Sequence, residues 1–69
     1  MENNRLERLE VICESMTPAR FAIVARCKDG GTVDFPERYR TPIAAVSAAL
    51  NDAIEFGGID VLVSMEHAR

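Results

Sequence analysis

Cys13 and Cys27 are the only thiols in the chain and His67 is the only imidazole, so nucleophilic or metal chemistry would have to start from these three side chains. A catalytic thiolate needs a basic neighbour to lower its pKa. The one histidine is the third residue from the end of the sequence, in a tail expected to fray. With no Cys-x-x-Cys or His-x-x-x-His spacing, the ligands are too few for a structural zinc site. Both cysteines therefore read as small buried core residues. The carboxylates Asp29, Asp34, Glu37, Asp52, Glu55, Asp60 and Glu66 are scattered, and no pair has a spacing that nominates an acid and a base. Asp29-Gly30-Gly31-Thr32 is a hairpin turn without the helix N-terminus that binds phosphate. No catalytic, cofactor-binding or metal-ligating residue is nominated, and the chain reads as non-enzymatic, with no cofactor.

Recognition chemistry has better seats. Glu10, Arg26 and Asp34 are expected to align across three strands, with Arg8 and Lys28 nearby, around the apolar residues Ile12, Ala22 and Val24. An apolar patch ringed by charge is a common interface anatomy. More simply, such a row is a cross-strand charge ladder that keeps a solvent face soluble. Tyr39 lies between Arg38 and Arg40, and tyrosine and arginine are enriched at binding hot spots. Its plainer role is to close one end of the core beneath the helix start. The candidate partner-binding residues are thus Ile12, Val24, Arg26, Asp34, Arg38, Tyr39 and Arg40. Direct nucleic-acid binding through Arg20, Arg26, Lys28, Arg38 and Arg40 is not expected, because the net charge is −3 and the strands carry no stacking aromatic for it.

The elements that must position these groups follow from periodicity. Thr41 is a good N-cap, Pro42 suits the first helical position, and Gly57 or Gly58 supplies a left-handed C-cap, which predicts a helix over 42–56. Ile43, Val46, Leu50, Ile54 and Gly57 form the stripe expected to face a sheet, flanked by Ala44, Ala45, Ala48, Ala49 and Ala53. Alternation predicts strands over about 7–15, 20–28, 32–35 and 59–65, with Met65 inward at the end of the last. Leu6, Leu9, Ile12 or Cys13, and Met16 also fit a helical period, which would give α-β-β-α-β. The β-prone Val11-Ile12-Cys13 and the turn signal Met16-Thr17-Pro18-Ala19 favour a strand.

A left-handed Gly31 in a three-residue loop is expected to pair Cys27 with Val33 and Ala25 with Phe35, keeping one face apolar. On the same logic Cys13 lies opposite Ile23 and Cys27 opposite Leu9, which is beyond disulfide reach. The expected fold is α+β (β-β-β-α-β). A three-stranded antiparallel meander carries one helix on one face, and a fourth strand lies parallel to either the first or the third.

Sixty-nine residues make one domain, 1–69, and a chain so short buries only about 60% of the surface its unfolded form exposes. Stability will be thin, with self-association or a partner as the open route to more. The polar start Met1-Glu2-Asn3-Asn4-Arg5 has no apolar signal region, which points to the cytoplasm. No apolar run approaches the roughly 20 residues needed to span a bilayer.

The order of elements resembles that of small phage-encoded anti-CRISPR proteins. The likeness runs through Leu9-Glu10-Val11-Ile12-Cys13-Glu14, a Pro-containing turn, Phe21-Ala22-Ile23-Val24-Ala25-Arg26, the Lys28-Asp29-Gly30 turn, and the Ala-rich helix ending Ala53-Ile54-Glu55-Phe56-Gly57-Gly58 before a final strand. It implies stoichiometric binding to a larger host protein or ribonucleoprotein complex that handles nucleic acid. The expected function is a small acidic protein-binding module, an inhibitor of phage or mobile-element origin. The alternative is a homodimeric structural or regulatory domain formed by pairing of an exposed edge strand.

Overall fold

A computed structural model describes residues 5–64, so the expectations for Met65, Glu66 and His67 lie outside the described residues. The elements are β1 (Leu6–Met16), β2 (Ala19–Cys27), β3 (Thr32–Tyr39), α1 (Pro42–Glu55) and β4 (Asp60–Ser64). They form one four-stranded sheet in the order β3-β2-β1-β4. Neighbours in the β1-β2-β3 meander are antiparallel, and β4 is parallel to β1. The expected α+β order therefore holds, residues 6–16 are a strand, and the edge left open by the sequence is β1. Crossing from β3 to the far side of β1 carries α1 over the middle of the sheet, where it covers Leu9, Val11, Phe21 and Ile23. No helix among the described residues is long and apolar enough to cross a membrane.

Along the first hairpin and near the turn of the second, the pairing is offset from expectation by two residues; beyond the irregularity in β2–β3, Ala22 pairs with Arg38 and Phe21 with Tyr39, which returns to the expected offset. In the first, Met16 pairs with Ala19 around a cis Thr17–Pro18 peptide, Cys13 pairs with Phe21, Val11 with Ile23, and Leu9 with Ala25. In the second, Ala25 pairs with Val33 and Val24 with Asp34. A shift of two leaves every side chain on its own face, whereas a shift of one would invert the sheet. Alternation therefore sets the faces without setting the offset. The left-handed residue of the second turn is Gly30 (φ 97°), not Gly31. There Gly30 N donates to Cys27 O at 3.0 Å, Cys27 N to Gly31 O at 2.8 Å, and Gly31 N to Asp29 Oδ1 at 2.9 Å. β3 runs on through Pro36 to Tyr39 instead of ending near Phe35. It is an edge strand, and Pro36 falls where the β2–β3 pairing is irregular, so its missing N–H breaks no regular ladder.

The largest departure concerns α1. Its caps are as expected: Thr41 Oγ1 accepts from Ala44 N at 3.2 Å, Pro42 opens the helix, and Gly57 and Gly58 follow with φ of 94° and 84°. Its orientation is not. The residues against the sheet are Ala45, Ala49 and Ala53, whereas Ile43, Leu50 and Ile54 are 78%, 52% and 73% exposed. Bulk in this core comes from the strands, with Leu9, Val11 and Ile23 fully buried. A row of alanines lets the helix settle closely onto those side chains, and a row of isoleucine and leucine there would overfill the space. Phe35 and Phe56 close one end, with ring centroids 6.3 Å apart. Cys13 and Cys27 are free and buried, as expected, on register pairs far apart along the sheet.

Candidate functional site

The face of the sheet turned away from α1 carries most of the expected binding residues. β1 contributes Arg8, Glu10, Ile12 and Glu14, β2 contributes Ala22, Val24 and Arg26, β3 contributes Asp34 and Arg38, and β4 contributes Leu62. Pairing sets Glu10 between Val24 and Leu62, and Ile12 beside Ala22. Glu10 is only 6% exposed, which is unusual for a carboxylate. Its Oε2 accepts from Arg8 Nε at 2.8 Å and Arg26 Nε at 3.1 Å. The Arg26 hydrogen bond is the main influence holding this carboxyl below its ordinary range. Burial opposes that effect, and the Arg8 hydrogen bond adds to it. Asp34, expected in the same row, lies opposite Val24 and forms no ion pair among the described residues.

A second bridge crosses the sheet further along. Arg38 Nε donates to Glu14 Oε1 at 2.8 Å, and its Nη1 donates to Phe35 O at 2.7 Å and Glu37 O at 2.9 Å. Arg38 lies on β3, Glu14 on β1, and between them Ala22 of β2 is 2% exposed. Only a small residue at that position lets the guanidinium lie across the strand. Glu14 and Leu62 were not among the sequence candidates. Ala22, the small residue on the outward face of β2 beside Arg38, was the available signal for the first, and the second depended on which edge β4 joins. Leu62 is 49% exposed and, with the half-buried Ile12 and Val24, surrounds Glu10 with apolar surface.

Tyr39 and Arg40 stand apart from this face. With Pro18, Ala19, Arg20 and Arg38 they line an open hollow of about 590 Å³ at the end of the sheet where the first hairpin turn meets the end of β3. Tyr39 pairs with Phe21 and packs against the core, so it serves as the plug that its position also suggested. Burial first, then Glu37 and Asp52, push its phenol up. The seven candidates thus divide into Ile12, Val24, Arg26, Asp34 and Arg38 on the outer sheet face, and Tyr39 and Arg40 at the hollow, with Arg38 reaching both. Against known proteins, the chain matches no family model, no curated protein and no solved structure.

Proposed function

We propose that the protein is a small protein-binding module that engages a larger partner through the outer face of its sheet. The observation that supports this most is the paired order of that face. Arg26 and Arg38 are tied across strands to Glu10 and Glu14, and Arg8 to Glu10 along its own strand, so charged groups surrounding Ile12, Val24 and Leu62 are held before any partner arrives. Side chains already ordered lose less freedom on association. The face mixes both signs around an apolar centre, which suits a protein surface better than a row of phosphates. The finer reading, stoichiometric inhibition of a host protein or ribonucleoprotein complex, follows the likeness to anti-CRISPR proteins.

Val24→Glu would place an unpaired charge in the apolar centre. Immobilised wild-type protein should retain one host species at fixed stoichiometry, Ile54→Glu on the opposite side should retain it equally, and Val24→Glu should lose it. Equal recovery by wild type and Val24→Glu, or no specific recovery by either, would sink the proposal.

A further inference from the structure

We infer that the hollow at the end of the sheet binds the phosphate group of a small phosphomonoester through Arg20, Arg38 and Arg40. These are three of the eight basic side chains of an acidic protein, gathered on the wall of one cavity. Phe21 pairs with Tyr39 and Ala22 with Arg38, and one further step of the same antiparallel register sets Arg20 opposite Arg40. Like charges directly opposite each other work against the fold. Among the described residues, neither Arg20 nor Arg40 forms an ion pair, and Glu14 is already taken by Arg38 at 2.8 Å. The hollow therefore gathers positive charge that the chain leaves without a counter-charge.

A guanidinium fork matches the oxygens of a phosphate and keeps its charge at any ordinary pH. One of the three forks is fixed in advance. Arg38 spends Nε on Glu14 and Nη1 on the carbonyls of Phe35 and Glu37, which leaves Nη2 for a ligand. Arg20 and Arg40 are exposed and bring whole forks. A phosphomonoester carries a charge of about −1.5 to −2 at neutral pH on three acceptor oxygens, which suits three arginines better than the single charge of a carboxylate. The surroundings limit how far the anion extends. Glu14 is bonded to Arg38, and Glu37 and Asp52 act on the Tyr39 phenol, so a strand of phosphates running past the hollow would meet carboxylates. A single terminal phosphate would not. The volume of about 590 Å³ lies in the ordinary range for small-molecule sites, and Pro18, Ala19 and Tyr39 supply a less polar wall for the organic group.

This inference does not rest on the proposed function, and Val24→Glu, which should lose the protein partner, should still bind the phosphate. Amide NMR titrations with phenyl phosphate and with inorganic phosphate, at constant ionic strength, should give saturable shifts centred on Ala19, Arg20, Tyr39 and Arg40. Phenyl phosphate should bind several-fold more tightly. Arg20→Gln and Arg40→Gln should each weaken binding about tenfold, as the loss of one charge-assisted hydrogen bond predicts. Both should remain folded with thermal midpoints no lower than wild type, since each removes a like-charge pair. Lys28→Gln removes the same charge at the turn between β2 and β3 and should bind as wild type does. Shifts that do not saturate, or a Lys28→Gln loss equal to that of Arg40→Gln, would overturn the inference in favour of general screening. A single-stranded oligonucleotide that binds more tightly per phosphate than phenyl phosphate would overturn it in favour of nucleic acid. Equal affinity for the two phosphates would overturn its organic half and leave inorganic phosphate as the ligand.

Discussion

Glu10 is a charge on an inner strand of a very small sheet, kept there by two arginines. Arg8 and Arg26 stay partly in water, so removing the carboxylate's charge leaves no stranded cation. Glu10→Gln should therefore cost about 1–2 kcal/mol at neutral pH rather than the larger penalty of breaking a fully buried pair. Because the folded state lowers this carboxyl's pKa, its contribution is present above the unfolded pKa and is lost as pH falls through the folded one. Urea midpoints of wild type and Glu10→Gln should accordingly converge below the usual carboxylate range. A gap that persists there would mean the residue acts by shape. Alternation placed Glu10, Arg26 and Val24 on one face correctly. The burial of Glu10 was not legible, because it depends on Leu62 arriving from β4 and on a hairpin offset that alternation leaves free.

At the scale of the element, α1 shows why periodicity can name a helix and misname its inner side. More than half of its circumference is apolar, alanines on one arc and isoleucine, leucine and valine on the next. Weighting by hydrophobicity selects the bulky arc, whereas packing selects by size against a sheet already supplied with large side chains. Two substitutions separate these cases at protein concentrations low enough to keep the chain monomeric. Leu50→Ser, on the exposed arc, should change stability by no more than about 0.5 kcal/mol. Ala49→Leu, against the strands, should destabilise by about 1–3 kcal/mol through overpacking. Urea denaturation giving the reverse order would return the bulky arc to the core. The caps, by contrast, were fully legible, because Thr41, Pro42, Gly57 and Gly58 act through local backbone geometry.

At the scale of the whole molecule, the order of elements was readable from the sequence, while the final edge and both registers were settled by contacts between distant segments. A 69-residue chain whose helix contributes mainly alanines to the core gains little margin from folding alone. Association should supply part of the remainder by mass action. The thermal midpoint of the wild type should thus rise with protein concentration. A flat wild-type series would show that the fold is sustained without its neighbour.

The alanine face also decides where motional freedom is given up. Buried alanine has no rotamers to lose, so folding freezes few side-chain torsions on the helix. Ile43, Leu50 and Ile54, being exposed, lose little further freedom to packing in the folded chain. The cost of ordering this helix on folding therefore falls on its backbone rather than on its side chains.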